Sequence, residues 1–132
     1  MMQAGITTHL LADAPLVAAI GQHVNWASRP QGEALPGLVL FRLPGTRDVH
    51  MGGRSGLVET RVQVDSWATD YLAASQNAKL ALKAFDSLPG QTIAGVDFLG
   101  AFPEGDRDDY EGDLPDRKYR TSFDVRVWHT ED

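Results

Sequence analysis

The sequence predicts an α+β domain: a mainly antiparallel sheet of about four to five strands, with helices packed on one face and the elements in the order α-(β)-β-β-α-β-β. Residues 57–65 and 118–128 alternate between apolar and polar side chains, which is typical of strands that bury one face. Between these strands, residues 71–85 carry apolar side chains at helical spacing.

The N-terminal segment predicts two short helices and a strand piece. Residues 7–12 form the first helix. The second begins at Asp13, a good N-cap, carries Pro15 in its first turn and ends at Gly21. Residues 24–27 are expected to be extended and to lead into a turn-rich link.

The next elements are a compact apolar strand at residues 38–43 and a protruding hairpin loop at residues 44–56. The loop sequence, PGTRDVHMGGRSG, is rich in glycine and polar residues and is too long for a tight turn. Loops on a rigid scaffold often carry recognition, so this segment is a candidate docking element.

The two alternating strands each predict one face for a core and one for water or a partner. The faces expected in the core are Val58, Thr60, Val62 and Val64 in the first strand, and Tyr119, Thr121, Phe123, Val125 and Val127 in the second. The opposite faces are Glu59, Arg61, Gln63 and Asp65 in the first, and Lys118, Arg120, Ser122, Asp124 and Arg126 in the second.

The helix that joins them is predicted to have Thr69 or Asp70 as its N-cap and to end before Gly90. A strand at residues 93–102 is expected next, and residues 103–116 predict an acidic loop. The apolar stripe of the helix consists of Tyr71, Ala74, Ala78, Ala81, Leu82 and Phe85.

At 132 residues, with 42% hydrophobic and 23% charged residues, the chain has the size and composition of one globular domain, residues 1–132. No apolar run reaches the roughly 18 residues that cross a bilayer, and no basic leader precedes the first helix. We therefore expect no membrane partner and production in the cytoplasm. With no cysteine, the chain has no disulfide framework, thiolate nucleophile or cysteine metal site.

The formal net charge of -6 is unevenly distributed, because all the excess acid follows Ser66. Affinity for nucleic acid normally comes from Lys and Arg residues that neutralise phosphates. An acidic chain without a basic cluster therefore argues against a domain that grips DNA, but it is compatible with a surface past which DNA slides.

The candidate catalytic and metal-binding patterns fail on spacing. The four histidines are scattered, and Asp48 and His50 have no accompanying nucleophile. In the acidic loop, a calcium site that starts at Asp106 would need an oxygen ligand where Tyr110 stands and a glycine where Glu111 stands. We therefore assign no catalytic, cofactor-binding or metal-binding residue, and we expect neither enzymatic activity nor a cofactor.

Four blocks of sequence carry a family resemblance: ADAPLVAAIG, RPQGEALPGLVLFRLPGTRD, SGLVETRVQVDSWATDYLAASQNAKLALKAF and KYRTSFDVRVWH. In this order, and covering most of the chain, they resemble the tail terminator (tail completion) proteins of long-tailed bacteriophages and gene transfer agents. The strand VQVDSWA, which leads directly into a helix, is the most telling part of the resemblance.

The resemblance implies a subunit that assembles into a ring, typically a hexamer, on the end of the tail tube. Such a ring stops tube polymerisation and docks to the head connector or stopper, and DNA passes through its lumen. The implied partners are further copies of the chain, the tail tube protein and the connector. The implied location is the head–tail junction of a virion or particle whose subunits are made in the bacterial host cytoplasm. The family has no catalytic residues to carry over.

The strand pattern and the resemblance together give two sets of candidate site residues. The polar strand faces are expected to meet the lumen or a neighbouring subunit, because alternating signs leave little net attraction for phosphates. The two loops are expected to dock neighbouring rings. The lumen set is Glu59, Arg61, Gln63, Asp65, Lys118, Arg120, Asp124 and Arg126, and the docking set is Arg47, Asp48, His50, Arg54, Asp106, Asp108, Asp109 and Glu111.

Three alternatives remain open at this point. A tail tube subunit or a connector stopper shares the ring symmetry, and a tube subunit would polymerise into long tubes by itself. A small metal-dependent hydrolase would be built around Asp48, His50 and the acidic loop. A generic adaptor would have no role in a phage.

Overall fold

Three helices and a seven-stranded sheet make up the residues that the structure describes. This computed structural model describes residues 1–29, 32, 34–44, 47–49 and 56–130, and only the backbone of residues 47–49. The helices are α1 (Met2–Leu11), α2 (Ala14–Ile20) and α3 (Tyr71–Asp86). The strands are β1 (Val24–Trp26), β2 (Gly37–Arg42), β3 (Arg47–Val49), β4 (Leu57–Ala68), β5 (Thr92–Ile93), β6 (Val96–Glu111) and β7 (Lys118–Thr130).

The sheet is mainly antiparallel, as predicted, and its strand order is β1-β2-β4-β7-β6-β5. β3 pairs with the first residues of β4, on the same edge of β4 that pairs with β2 further along the strand. β1 pairs with β2 in parallel. The predicted count of about four to five strands was too low. β3 and β5 have only three and two residues, and runs this short show no alternation that a sequence pattern can detect.

The core lies between the sheet and the helices, and it uses the strand faces that were predicted to be buried. Val62 pairs with Val125 and Val64 with Phe123 across the two central strands, and all four are fully buried. α3 lies on this face, where Phe85 packs edge-on against Phe123 with 6.2 Å between ring centroids. The buried residues of the predicted stripe in α3 are Ala74, Ala78, Ala81 and Phe85, whereas Leu82 is partly buried and Tyr71 is exposed.

Carboxylate caps begin both α2 and α3. The Asp13 side chain accepts a hydrogen bond from the Leu16 amide at 3.0 Å, as predicted. The Asp70 side chain accepts one from the Ala73 amide at 3.3 Å, so the N-cap of α3 is Asp70 and not Thr69. Each cap satisfies an amide that the first helical turn leaves without a partner.

α1 begins five residues earlier than the predicted helix at 7–12. Met2, Ile6 and Leu10 lie one turn apart and form its buried stripe. Gly5 lets this helix approach the sheet closely, because a Cβ atom there would lie 2.8 Å from the ring of Phe98. A glycine in a helix normally weakens a sequence-based prediction, and here it marks a tight contact.

The predicted acidic loop at 103–116 is mostly strand, and this prediction was wrong. β6 extends to Glu111, and β7 provides main-chain partners along most of this length. Charged residues on both sides of the strand hide the alternation on which the prediction depended. Four members of the docking set therefore lie on a strand, namely Asp106, Asp108, Asp109 and Glu111.

The predicted hairpin loop at 44–56 is also part strand. β3 pairs antiparallel with residues 57–59 of β4, so Arg47 and Asp48 extend the β2–β4 hairpin. His50 and Arg54, the other two docking residues of this segment, lie outside the described residues.

Candidate functional site

The sheet face opposite the helices carries all eight residues of the lumen set, and we call it the polar face. Register pairs Arg61 with Arg126 and Gln63 with Asp124 across β4 and β7. These residues alternate with the buried valines, so their side chains project away from the helices. The polar face comprises Glu59, Arg61, Gln63 and Asp65 of β4 and Lys118, Arg120, Asp124 and Arg126 of β7.

β6 adds a third row to the polar face, which the sequence pattern missed. Its register places Glu104 opposite Asp124, Arg107 opposite Ser122, and Asp109 opposite Arg120. One extra residue between Glu104 and Arg107 interrupts the pairing, so period-two counting along the sequence fails there. Gly105 adopts a positive φ of +71° at the bulge, a conformation that favours glycine. This glycine is therefore the feature of the sequence that could have indicated the bulge.

The docking set is divided by the same register. Asp109 and Glu111 face the same way as the polar face, opposite Arg120 and Lys118. Asp108 pairs with Thr121 and lies on the helix side of the sheet, where its carboxylate accepts hydrogen bonds from Thr121 Oγ1 at 2.8 Å and Tyr71 Oη at 3.0 Å. These residues therefore do not form one docking surface.

Ion pairs connect the three strands of the polar face. Arg61 Nη2 lies 3.7 Å from Asp124 Oδ2 and 3.9 Å from Glu104 Oε1. Arg126 shares the same Glu104 carboxylate at 3.7 Å and reaches Glu59 Oε2 at 3.9 Å. A charge in such a network has more than one partner, so it is held in place more firmly than in an isolated surface pair.

A second group of ion pairs surrounds a buried carboxylate. Asp65 is only 2% exposed, and it accepts hydrogen bonds from Ser122 Oγ at 2.7 Å and Gln63 Nε2 at 2.9 Å. Arg120 lies 3.7 Å from Asp65 and donates to Asp109 Oδ2 at 2.9 Å. A buried carboxylate needs such partners, so Asp65 positions its neighbours and is not itself available to a ligand.

The polar face neutralises its own arginines. Each of its four arginines lies within 4 Å of at least one carboxylate. The fourth arginine is Arg107 of β6, whose Nη2 lies 3.1 Å from Asp124 Oδ1. The four guanidinium groups of Arg61, Arg107, Arg120 and Arg126 meet the five carboxylates of Glu59, Asp65, Glu104, Asp109 and Asp124. This face therefore offers little uncompensated positive charge.

An exposed apolar patch lies at one end of the polar face. Leu99 and Phe102 are 57% and 51% exposed, and with Gly100 and Trp128 they line an open groove of about 330 Å³. Trp67, the other tryptophan of this face, lies below the guanidinium of Arg120, which is 5.4 Å from the ring centroid. Both tryptophans thus lie on the polar face and not in the core.

On the helix side, a small cavity of about 130 Å³ lies between α3 and the sheet. The hydrogen bond from Tyr71 to Asp108, together with the negative charge of that carboxylate, raises the pKa of Tyr71 above its usual 10.0. The residues lining the cavity include Ser75, Lys79, Asp106 and Asp108.

The described histidines have structural contacts. His9 Nε2 lies 2.8 Å from the carbonyl oxygen of Ala84, His23 Nδ1 lies 3.1 Å from that of Pro36, and His129 Nε2 lies 2.8 Å from Thr60 Oγ1. Among the described residues, no three His, Asp or Glu side chains converge as a metal site would require. In the same part of the chain, no helix is long and apolar enough to cross a membrane.

Comparison with known proteins finds a matching family model and solved structures of similar fold. The family model described as "Tail completion protein gp17" matches residues 4–130. A chain from the virion of a native gene transfer agent particle is similar to this chain at a TM-score of 0.60 and 21% identity, over 96% of this chain and 94% of its own.

A second solved chain superposes less well, with a TM-score of 0.49 at 12% identity over 96% of this chain and 92% of its own. No curated protein matches the sequence.

Proposed function

This chain belongs to the tail completion protein gp17 family, and from that premise we propose that it is a structural component of a tailed particle. In this proposal it forms a single domain, assembles as a ring of about six copies on the end of the tail tube, stops tube growth and joins the tail to the head connector or stopper. A chain of a gene transfer agent virion is similar over nearly the whole length of both chains, which supports the same fold.

The observation that carries this proposal is the self-neutralised polar face. A ring that conducts DNA needs a wall that does not hold the phosphates passing along it. Proteins bind DNA mainly through arginine and lysine side chains, which neutralise the phosphates and release the counterions bound to them. On the polar face a phosphate would have to displace a carboxylate from each arginine, because every one of the four is already paired. We therefore assign this face to the lumen, with the three helices on the outside.

The proposed partners follow from the same arrangement. Copies of the chain form the ring, the tail tube protein lies on one side of it and the connector on the other, at the head–tail junction. DNA passes without sequence-specific binding. No catalytic step is proposed, since the role is one of assembly and passage.

Solution mass measurement combined with negative-stain imaging tests the proposal. The purified protein, alone or with tail tubes, is expected to give annular particles or caps on tube ends. Long tubes formed by this protein alone would identify it as a tube subunit. A species that stays monomeric, does not cap tubes and shows metal-stimulated hydrolysis would refute a structural role.

A further inference from the structure

α3 leaves part of the helix side of β6 uncovered. Two adjoining cavities, of about 130 and 490 Å³, lie between α3 and this strand, and Leu82 and Asp106 line both. They form one groove, which we call the α3–β6 groove, and its apolar lining includes Leu82 and Phe123. The groove follows α3 from Ser75 to Asp86, about 16 Å at about 1.5 Å per residue. A partner in this groove contacts the side of the sheet that faces away from the proposed lumen.

All three tyrosines of the chain lie together at one end of the groove. Tyr71, which donates to Asp108, packs edge-on against Tyr119 with 6.3 Å between ring centroids. Tyr110 is the neighbour of Tyr119 in the sheet and lies on the same side. Tyr71 and Tyr110 are 44% and 57% exposed. Because exposed tyrosines are typical of contact surfaces, this cluster extends the groove by one turn of α3, to about 22 Å.

A guanidinium group already lies on the tyrosine cluster. Arg117 Cζ lies 4.3 Å from the centroid of the Tyr110 ring, and Arg117 Nε donates to the carbonyl oxygen of Gly112 at 3.3 Å. Arginine is attracted to the face of an aromatic ring, because the ring carries negative charge density there. The contact within the chain thus shows the kind of side chain that these tyrosines accept.

The carboxylates of the groove are unpaired, unlike those of the polar face. Within the described ranges, neither Asp86 nor Asp106 has a hydrogen-bond or ion-pair partner. Asp108 is held in place by Tyr71 and Thr121. Lys79 is the basic residue of the lining, so three carboxylates face one ammonium group, a formal charge of -2. These carboxylates are therefore available to a basic partner.

The surroundings of the groove are strongly acidic. Residues 104–116 contain seven carboxylates against one arginine, a formal charge of -6, which equals that of the whole chain. A field of one sign attracts a partner of the opposite charge and orients it on approach. The occupant that complements the groove is therefore basic. The tyrosines favour arginine over lysine, because a planar guanidinium stacks on an aromatic ring.

We propose that the α3–β6 groove binds an extended, arginine-bearing segment of an adjoining protein of the particle, an inference that rests on the structural role proposed above. An extended chain rises about 3.3 Å per residue, so about seven residues match the length of the groove. Asp86 and Asp106 accept hydrogen bonds from its basic side chains, and the tyrosines stack against them. Five arginines of this chain are already occupied, four by carboxylates of the polar face and one by Tyr110, which favours a segment from another protein.

Binding of a labelled peptide tests the carboxylates. The probe has about seven residues, with arginine alternating with alanine, and fluorescence anisotropy at low salt measures its affinity. We expect the natural protein to bind it with a dissociation constant below about 1 mM. Asp86→Asn with Asp106→Asn should raise that constant at least about tenfold, at about threefold or more for each lost charge.

A matched control separates the groove from net charge. Asp113→Asn with Asp116→Asn makes the same change in net charge at two exposed positions in the turn after β6. We expect this variant to bind the arginine peptide within about threefold of the natural protein. All four substituted carboxylates are exposed, so both variants should keep the circular dichroism spectrum of the natural protein.

A lysine version of the same peptide tests the tyrosines. The natural protein should bind the arginine peptide at least about threefold more tightly than the lysine peptide. Tyr110→Ala should remove this preference and keep the fold, because the side chain is exposed. Equal binding of the two peptides by the natural protein would refute the stacking contact.

The outcomes separate this inference from the proposed function. If the natural protein forms rings or caps tubes but does not bind the arginine peptide, or if the groove variant binds it as well as the control does, the groove assignment is wrong and the proposed function stands. If the peptide dissociates rings of the natural protein, a second copy occupies the groove and the assignment to another protein is refuted. If the peptide binds as expected but the protein neither forms rings nor caps tubes, the proposed function fails, and the particle partner fails with it.

Discussion

Removal of two exposed carboxylates from the polar face should convert a surface with little affinity for DNA into one that binds it. Glu104 contacts both Arg61 and Arg126, and Asp109 contacts Arg120. Glu104→Gln combined with Asp109→Asn leaves four arginines against three carboxylates in place of five, so the formal charge of this group changes from -1 to +1.

The size of the effect follows from counterion release. Each arginine keeps one carboxylate partner, but the formal charge of the group rises by two, which corresponds to at most about two phosphate contacts per subunit, and each contact steepens the slope of log affinity against log salt by about 0.9. Between 50 and 200 mM salt, the variant should therefore lose roughly tenfold in affinity for duplex DNA. The natural protein should bind weakly at both salt concentrations. Each lost surface ion pair contributes about 0–1 kcal/mol, so the fold should remain intact.

Fluorescence anisotropy with a labelled duplex of arbitrary sequence measures this slope. The matched control is Asp86→Asn with Asp106→Asn, which makes the same change in net charge at two exposed positions outside the polar face. If the control binds DNA as tightly as the polar-face variant, net charge and not unmasked arginine is responsible. Steep, tight binding by the natural protein would refute the claim that the carboxylates mask these arginines.

Three further changes test the fold and its hydrogen bonds. Val62→Asp places a carboxylate without a partner at a fully buried site, so we expect no cooperative melting by circular dichroism, and a melting temperature near that of the natural protein would contradict the core assignment. Gly5→Ala puts a methyl group 2.8 Å from the Phe98 ring and should cost about 1–3 kcal/mol in urea unfolding, whereas a neutral result would show that α1 shifts freely. The raised pKa of Tyr71 means that the stability from its hydrogen bond is complete below pH 10 and is lost as the pH rises through the folded-state pKa. Absorbance titration of Asp108→Asn should accordingly show the Tyr71 pKa falling toward 10.0, and an unchanged titration would exclude this carboxylate as the cause.

The sequence predicted those parts of the fold whose pattern is regular over several residues. The alternation in β4 and β7 correctly predicted their buried faces, and Asp13 predicted the start of α2. β3 was missed because its three residues pair with β4 through main-chain groups, which leave no mark on side-chain type. The strand character of residues 103–111 was missed for a different reason: charged side chains on both faces of β6 and the extra residue after Glu104 conceal its alternation.

The candidate site was predictable to the same extent. Alternation placed eight residues on one face, but it could not show that Asp65 is buried or that Glu104 bridges two arginines. The burial of Asp65 depends on the side chains of β7 beside it, and the bridge made by Glu104 depends on the third strand and its register. Alternation in a sequence predicts the sheet face on which a side chain lies. The ion-pair partner of that side chain depends on which strand is its neighbour in the sheet.

The bulge in β6 has a consequence for how related chains should be compared. Strict alternation from Glu104 would bring Asp106 and Asp108 to the polar face and turn Arg107 toward the helices. The single extra residue exchanges these positions, so the row that would carry Asp106, Asp108 and Tyr110 carries Arg107, Asp109 and Glu111 instead, one base and two acids in place of two acids and a tyrosine. A relative that lacks this residue needs a one-position gap here before its charges are compared. An insertion or deletion at Gly105 can thus change the charge of the polar face during evolution without any change in the core sequence.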